Sequence, residues 1–397
     1  MTELDVDLAK DDELFREELR DWLAVHLVGE FKTVGGVGGP ADDEHWDLRL
    51  AWEKELAADR WLNASWPQDL GGRGGTVTQE IIFHVEHAAA GAPYWVGVQG
   101  RDLFGPTLME FGTDEQQRRF IPRITAADEM WGQGFSEPNA GSDLAGLSTR
   151  AEIDGDEWVI NGQKIWTTFG ATADWLYVLC RTNRDAPKHK GISMLLVPAH
   201  QAGVDVRPIR NIASGAEFCE VFFTDARTKA NLVVGEVDGG WRVVMGTLGN
   251  ERSGTTILPF QALFEREMKR VLTLVRHRGL AGDPVVRQRV AKAWSGLRIL
   301  QLTNRRLLAA VLAGHPPGPE SSVGKLFWAN WHRDFGELMM DLMGPSAMIV
   351  GDGYRLDPMQ RSFLNSRAET IYGGANEIQR NIVGERVLGL PKEPQPW

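Results

Sequence analysis

The sequence predicts an α+β protein in which a helical segment, a β segment and a second helical segment follow one another along 397 residues. Apolar residues recur every three or four positions up to about residue 124, short β-type runs fill about 128–236, and helical periodicity returns from Gly239. A chain of this length can hold two or three subdomains. We therefore expect domains over 1–127, 128–237 and 238–397.

The N-terminal segment opens with an amphipathic helix. Its apolar positions form one face: Leu14, Phe15, Leu19, Trp22, Leu23 and Leu27. Similar spacing over 46–61 and 81–89 predicts a second and a third helix. Thr113 followed by Gln116 is typical of a capping box, and it opens a short helix that we expect to end at Pro122.

The middle segment is predicted to be all-β. Asn161-Gly162 lies between two β-type runs at 158–160 and 164–166, and Asn-Gly suits the tight turn of a hairpin. Further strands are predicted at 175–180, 192–197, 204–208 and 220–224.

Helical periodicity then returns in four stretches, at 241–276, 284–313, 320–343 and 360–388. Pro259 is expected to kink or split the first stretch. The Pro-rich run at 315–319 separates the second stretch from the third.

Composition excludes several function classes. The 54 acidic residues outnumber the 43 basic ones, and the net charge of −11 argues against nucleic-acid or anionic-membrane binding. No apolar stretch approaches the ~18 residues that suggest a membrane span, and the acidic N-terminus lacks a secretion signal. Two cysteines without CxxC spacing and nine histidines without paired spacing predict no disulfide framework and no metal site. We expect a cytoplasmic protein.

The most unusual stretch is the glycine- and hydroxyl-rich loop at 134–146, which reads GFSEPNAGSDLAG. Small residues permit close approach of the backbone to a ligand, and exposed N–H and hydroxyl groups can hold an anion. The loop is neither a P-loop nor a GxGxxG motif. Composition alone favours a multi-turn surface loop.

This loop, however, closely resembles the Ser-Glu-Pro-x-x-Gly-Ser-Asp signature of the acyl-CoA dehydrogenase family. The resemblance continues at 161–168 (NGQKIWTT), at 231–241 (NLVVGEVDGGW) and at 371–380 (IYGGANEIQR), so that four motifs in order cover essentially the whole chain. It implies a β-barrel-like middle domain, a C-terminal four-helix bundle and FAD as the cofactor.

The resemblance also assigns residues to the site. Seven are implied in FAD binding: Gln133, Phe135, Ser136, Trp166, Thr168, Asn376 and Glu377. Within that set, Ser136 and Thr168 would hydrogen-bond the flavin ring and Trp166 would be the aromatic wall against it. Ser142 resembles the serine near the pyrophosphate of the substrate.

The resemblance offers two alternative positions for the catalytic base. Many family members carry it as a glutamate near the C-terminus, in a Tyr-Glu-Gly motif, where this chain has Gly373. A smaller group, which includes long-chain, isovaleryl-CoA and actinobacterial steroid side-chain dehydrogenases, carries it in a Glu-Arg pair on a helix. A lone Glu-Arg pair is usually a solvated face, but the empty position at 373 favours Glu251 as the base, with Arg252 as a substrate-binding residue.

The chemistry that the family implies is oxidation of an acyl-CoA to the trans-2-enoyl-CoA. The base removes the α-proton and the β-hydrogen passes as a hydride to flavin N5. Desolvation should raise the pKa of Glu251 toward the working pH. A flavin ribityl hydroxyl and the Gly373 N–H would polarise the thioester carbonyl, and glycine at 373 would leave room for bulky acyl groups.

The implied partners are an acyl-CoA substrate and an electron-transfer flavoprotein as acceptor, in a homotetramer or homodimer. The run at 344–347 replaces a Gly-Gly-x-Gly turn, and an Arg-x-x-Phe-Gly motif is missing near 276–290. These departures keep a heterotetramer with a paralogous chain open. An acyl-CoA oxidase and a non-catalytic partner subunit remain alternatives, whereas a DNA-binding offshoot is disfavoured by the charge.

Overall fold

The computed structural model describes residues 9–36, 44–250, 254–315 and 318–392. The chain divides into two compact units, one formed by 1–210 and 215–251 and the other by 211–214 and 252–397. The first unit holds the N-terminal helices, the sheet and the helix at 240–250, and the second holds the helices that follow. The predicted α+β class is confirmed. No helix in the described ranges is long and apolar enough to cross a membrane.

Six α-helices occupy the described residues before the sheet: α1 Lys10–His26, α2 Gly29–Thr33, α3 Trp46–Ala58, α4 Val77–Ala89, α5 Gly105–Phe111 and α6 Asp114–Thr125. The three helices expected from apolar spacing correspond to α1, α3 and α4. The capping box is also confirmed, since Gln116 N donates to Thr113 Oγ1 at 3.2 Å and Thr113 N donates to Gln116 Oε1 at 3.1 Å.

The expected end of α6 at Pro122 is wrong, because the helix continues through the proline to Thr125. Proline removes one hydrogen bond from the ladder. The apolar face of α6 carries Phe120, Ile121 and Ile124, all buried in one core cluster. Burial of these three side chains outweighs the loss of that hydrogen bond.

The middle of the chain forms an eight-stranded sheet, over a stretch that the structure describes completely. Its strands are β1 Trp131–Gly134, β2 Arg150–Asp154, β3 Glu157–Thr168, β4 Trp175–Arg181, β5 Ile192–Pro198, β6 Val204–Ile209, β7 Phe218–Lys229 and β8 Val233–Val234. They follow the order β6-β7-β3-β2-β4-β5-β8, and β1 pairs with β4 in parallel. The four strands expected after residue 174 correspond to β4–β7.

The hairpin expected at Asn161-Gly162 is wrong. The tight turn lies six residues earlier, where Gly155 with φ 65° joins β2 to β3 and Asp154 pairs with Glu157. β3 runs through Asn161, whose amide donates to Asp225 on β7 at 2.9 Å. A Cβ on Gly162 would lie 2.5 Å from Thr149 Oγ1, so glycine is needed there for close approach rather than for a turn.

Aromatic packing fixes β1 against the helices of the first unit. Phe104, which precedes α5, stacks on Trp131 of β1 and on Tyr177 of β4, with ring centroids 4.2 Å and 5.0 Å away. Phe120 of α6 meets Trp131 edge-on at 5.3 Å. These buried rings hold in one position the part of the sheet from which the loop at 134–146 leaves.

Six further α-helices lie in the parts of the chain after the sheet that the structure describes: α7 Gly240–Asn250, α8 Gly254–His277, α9 Pro284–Leu312, α10 Ser321–Met343, α11 Pro358–Glu369 and α12 Asn376–Ile382. The expected stretches at 284–313 and 320–343 correspond to α9 and α10. Pro259 does not split the helix, since α8 continues through it, and a kink there stays a prediction. The stretch at 360–388 divides into α11 and α12 because Gly373 and Gly374 adopt left-handed φ of 62° and 91°.

A charged triad lies in the core of the second unit. His332 of α10 is buried between two carboxylates, with Nε2 2.8 Å from Glu267 Oε2 and Nδ1 2.7 Å from Glu369 Oε2. Burial by itself lowers the pKa of His332, but the charges of Glu369 and Glu267 outweigh it and raise the pKa to about 10. The imidazolium therefore joins α8 and α11 to α10.

We expect this triad to make stability fall as pH rises. The folded chain keeps the His332 proton up to about pH 10, whereas the unfolded chain loses it near 6.5. The free energy of unfolding should therefore decrease between pH 7 and 9, by up to about 1.4 kcal/mol per pH unit from this group. Urea unfolding of wild type and of a His332→Gln/Glu267→Gln variant measures the slope. Equal slopes in both proteins would contradict the assignment.

Candidate functional site

The glycine- and hydroxyl-rich loop at 134–146, which we call the signature loop, leaves the sheet at the end of β1. A Cβ on Gly132 would lie 2.7 Å from Leu176 and one on Gly134 would lie 3.0 Å from Val178, so both glycines allow β1 to lie close to β4. Gln133 alternates to the opposite face and is half-buried. Among the described strands β1 pairs only with β4. Its other edge therefore has no strand partner among the described residues.

A buried ion pair joins the loop to β3. The Nζ of Lys164 lies 2.8 Å from Glu137 Oε1 and donates to the Phe135 carbonyl at 3.1 Å, and Lys164 is fully buried. The Glu137 carboxylate also accepts from the backbone N–H of Ser148 at 2.7 Å and of Thr149 at 2.8 Å. Both ends of the loop thus converge on one carboxylate.

The pair stays charged despite its burial. Burial raises the pKa of Glu137, but the Lys164 ammonium and the hydrogen bonds outweigh this effect and hold the pKa at about 2. Burial lowers the pKa of Lys164, and the charge of Glu137 opposes that shift. A buried charge pair of this kind is favourable only when its remaining lone pairs are satisfied. The N–H groups of Ser148 and Thr149 meet that requirement.

β3 is bulged at the position where it reaches the loop. Its register against β7 shifts between Lys164 and Thr167, and Trp166 there adopts φ 61°. A left-handed conformation costs a bulky residue ~1–3 kcal/mol. The bulge turns the Trp166 indole outward, so that 56% of the residue is exposed, edge-on to Phe218 at 6.0 Å. A strained, exposed tryptophan is a common mark of a binding surface.

The predicted hydroxyl groups lie on either side of this bulge. The Ser136 carbonyl accepts from the N–H of Ile165, the residue before Trp166, at 2.9 Å. Ser136 and Thr168 are half-buried, and their hydroxyls make no hydrogen bond to a residue that the structure describes. The structure therefore brings Ser136, Trp166 and Thr168 together, beside Gln133 and the buried Phe135. We call the surface formed by these five residues the β1 edge.

Ser142 lies further out in the same loop and is exposed. Its neighbour Asp143 pairs with Lys188 at 2.5 Å, and Arg181 donates to the Ala145 carbonyl at 2.7 Å. The basic turn at 181–190 is thus attached to the loop that carries Ser142.

The predicted base lies outside the described residues, as does Arg252. The helix that leads to it is held firmly, because Thr107 of α5 donates to Thr247 of α7 at 3.0 Å and Asn250 donates to Thr107 at 3.4 Å. Thr107 and Thr247 are fully buried. The last described turn before Glu251 is therefore fixed against α5.

The other predicted residues belong to the second unit. Gly373 lies in the turn between α11 and α12. Asn376 opens α12, is buried, and donates to the Asn330 amide oxygen at 3.2 Å. Glu377 is exposed and lies 3.6 Å from Arg380.

Two residues that matter to the geometry received no role from the sequence. Glu137 and Lys164 both lie in recognised motifs, 27 residues apart. Their pairing could have been suspected because each is a charged residue among apolar or small neighbours. Only the fold shows that they meet.

The described chain has a helix–sheet–helix architecture, with an exposed tryptophan and two hydroxyl-bearing residues gathered beside one strand of the sheet. Three family models match in order: acyl-CoA dehydrogenase N-terminal domain at 9–128, middle domain at 132–226 and C-terminal domain at 238–388. The chain belongs to the acyl-CoA dehydrogenase family, whose members are flavoproteins and oxidoreductases that act on CH–CH bonds.

Relatives support the same assignment. Acyl-CoA dehydrogenase IpdE1 of Mycobacterium tuberculosis is 49% identical over 388 residues, which cover 97% of this chain and 99% of IpdE1. The solved structure of the Tcur3481-Tcur3483 steroid ACAD is 30% identical with a TM-score of 0.82, and the match covers 98% of this chain and 100% of that one. The ChsE4-ChsE5 complex from Mycobacterium tuberculosis is also 30% identical, with the same coverage and a TM-score of 0.79.

The residues at the β1 edge fit a flavin. An isoalloxazine ring needs hydrogen-bond partners along its polar edge and an apolar surface against its face. The unpartnered hydroxyls of Ser136 and Thr168 meet the first need, and the exposed indole of Trp166 meets the second.

We expect loss of Lys164 to cost more than loss of the whole ion pair. Lys164→Met leaves the Glu137 carboxylate buried without a cation and should lower the free energy of unfolding by about 3–5 kcal/mol at pH 7. Adding Glu137→Gln removes the uncompensated charge, so the double variant should be more stable than Lys164→Met alone. Urea unfolding measures both. In wild type this contribution is present above pH 4.5 and is lost as pH falls toward 2. A double variant less stable than the single one would contradict the role of the pair.

We expect Trp166→Gly to separate stability from flavin binding. Glycine relieves the left-handed strain, so the free energy of unfolding of the apoprotein should not fall. Loss of the indole should raise the FAD dissociation constant about 2- to 10-fold, because a ring contact contributes ~0.5–1.5 kcal/mol. Fluorescence titration with FAD measures this effect. Arg60→Gly is the control, since Arg60 is exposed with φ 60° and should leave the FAD affinity unchanged; unchanged affinity in Trp166→Gly would refute the assignment.

Proposed function

We propose that this protein catalyses the FAD-dependent α,β-dehydrogenation of an acyl-CoA thioester to the trans-2-enoyl-CoA. The observation that carries the proposal is the β1 edge, where a bulged strand presents Trp166 beside the unpartnered hydroxyls of Ser136 and Thr168. FAD, when bound, would accept the β-hydrogen of the substrate as a hydride at N5. Gln133 and Phe135 would border the ring, and Asn376 and Glu377 keep their proposed role in FAD binding.

Glu251 is the proposed base. It follows Asn250 directly, and Asn250 is fixed by the buried Thr107–Thr247 pair. A catalytic base works best when it is held at one distance from the substrate α-carbon, and the described turn before Glu251 is anchored. Exclusion of water by bound substrate would raise the pKa of the Glu251 carboxylate, which makes it a stronger acceptor for the α-proton.

The Gly373 N–H is the proposed donor to the thioester carbonyl. It donates to no residue that the structure describes, while the Gly373 carbonyl accepts from Gln379 at 3.0 Å. The turn is therefore anchored through its carbonyl and keeps its N–H for a ligand. A backbone donor of this kind stabilises the negative charge that develops on the oxygen as the α-proton leaves.

The proposed substrate is the CoA thioester of a bulky, steroid-derived acid. The Tcur3481-Tcur3483 relative is a steroid ACAD, and glycine at 373 removes a side chain from the catalytic turn. Ser142 and Arg252 would contact the CoA part of the substrate, and the exposed position of Ser142 suits contact with a phosphate.

The proposed acceptor is an electron-transfer flavoprotein, and the proposed compartment is the cytoplasm. Two solved relatives are two-component assemblies, Tcur3481-Tcur3483 and ChsE4-ChsE5. They support a heterotetramer with a paralogous chain over a homotetramer or homodimer. A second candidate function is that of a partner subunit in such an assembly, without its own activity. The ranges 1–127, 128–237 and 238–397 remain the proposed domain boundaries.

We expect steroid-derived acyl-CoAs to bleach the flavin absorbance of the anaerobic protein faster than linear or short branched ones. Glu251→Gln should keep its bound FAD while the bleaching rate falls by about 10²–10⁴-fold, because a positioned base contributes that much. Stopped-flow absorbance with linear, branched and steroid acyl-CoAs measures both effects.

Glu115→Gln is the matched control, because Glu115 is an exposed carboxylate in the first turn of α6. It should bleach at the wild-type rate. Bleaching of Glu251→Gln at the wild-type rate would exclude Glu251 as the base. A wild-type chain that binds no FAD unless a second chain is added would favour the partner-subunit function instead.

A further inference from the structure

We propose that Lys325 is the positioning residue that fixes the Gly373–Gly374 turn and thereby aims the Gly373 N–H at the substrate carbonyl. This inference rests on the proposed function, because it concerns the donor that acts in that reaction. Lys325 lies on α10, whereas the turn lies between α11 and α12.

Lys325 connects the end of α11 to the Gly373–Gly374 turn that follows it. Its ammonium is buried and donates to the Glu369 carbonyl at 2.7 Å and to the Gly374 carbonyl at 2.9 Å. Glu369 is the last residue of α11, where the helix dipole favours a cation. Hydrogen bonds from a charged donor are about twice as strong as neutral ones. One side chain thus ties the end of a helix to the turn that follows it.

The turn needs such a tie because its two central residues are glycines. Gly373 and Gly374 have φ of 62° and 91°, a region that glycine enters freely and can also leave freely. Lys325 holds the Gly374 carbonyl and Gln379 holds the Gly373 carbonyl. These two contacts hold the peptide groups that follow Gly373, and the Tyr372 N–H, which donates back into α11 at 3.0 Å, holds the peptide group on the other side. The peptide that carries the Gly373 N–H lies between these held groups, so its direction is restricted from both sides.

Lys325 is anchored together with the triad in the same core. His332 lies seven residues after Lys325 on α10, on the same helix face. Lys325 holds the backbone carbonyl of Glu369, and His332 holds its carboxylate at 2.7 Å. Movement of the turn away from α10 would therefore break charged contacts to both residues. Sites of this kind work only when a donor is held within ~0.5 Å.

The test measures the polarisation of a bound carbonyl. The probe is trans-2-enoyl-CoA labelled with 13C at the thioester carbonyl, which is the proposed product and binds without turnover. Its carbonyl stretch is recorded by difference infrared spectroscopy in the FAD-loaded protein. The acyl chain is the one whose saturated form bleaches the flavin fastest.

In wild type the carbonyl stretch should lie below that of the free thioester. Lys325→Met should return it toward the free value, and kcat should fall about 10- to 100-fold, as expected for a misplaced reacting group, while KM changes much less. Lys325→Gln, which keeps an uncharged N–H donor, should give an intermediate frequency. If Lys325→Met does not fold, the frequency in Lys325→Gln is compared with that in wild type instead.

Trp331→Phe is the matched control. It removes another hydrogen bond of α10, from the Trp331 indole to the Ala293 carbonyl at 3.0 Å. It should lower stability and leave the carbonyl frequency at the wild-type value. A wild-type frequency in a folded Lys325 variant would overturn the role of Lys325 alone. A wild-type protein that does not shift the carbonyl at all would overturn the proposed function as well.

Discussion

The site in the first unit depends on the buried pair between Lys164 and Glu137. Taking both charges out of water is expensive, and the cost is offset only by their 2.8 Å contact and by the N–H groups that surround the carboxylate. The pair fixes the signature loop to β3, so Ser136 and the bulge at Trp166 cannot separate. Without that constraint the loop would be an ordinary glycine-rich surface segment with many conformations.

A buried lysine holds a backbone carbonyl in the second unit as well. Lys164 donates to the Phe135 carbonyl at 3.1 Å, and Lys325 donates to the Gly374 carbonyl at 2.9 Å. In each case a buried ammonium on a regular element holds the backbone of an irregular segment that carries a group proposed to bind a ligand. Glycine-rich segments allow close approach to a ligand, but they lose more conformational entropy on folding than other segments. A buried cation concentrates enough interaction energy on one carbonyl to hold such a segment in place.

Hydrogen bonding is complete at the ion pair beneath the β1 edge, whereas backbone strain is concentrated in its exposed tryptophan. The Glu137 carboxylate has its hydrogen bonds satisfied, whereas Trp166 is held in a left-handed conformation and left exposed. The hydroxyls of Ser136 and Thr168 are likewise left without a described partner. A preformed site of this kind binds its ligand without first having to order its own residues.

Local patterns in the sequence determined the order of helices and strands, the capping box at Thr113 and the family, because these depend on neighbours along the chain or on intact motifs. The errors at Pro122 and at Asn161-Gly162 have one cause. The strongest local signal was overridden by packing with distant residues, namely the core around Phe120 and the contacts of β3 with Thr149 and Asp225. Tertiary structure alone decided three features: the pairing of Glu137 with Lys164, the left-handed φ of Trp166, and the hydrogen bonds from Lys325 to its turn. Each arises where segments far apart in sequence meet, and no spacing of residues along one segment encodes that meeting.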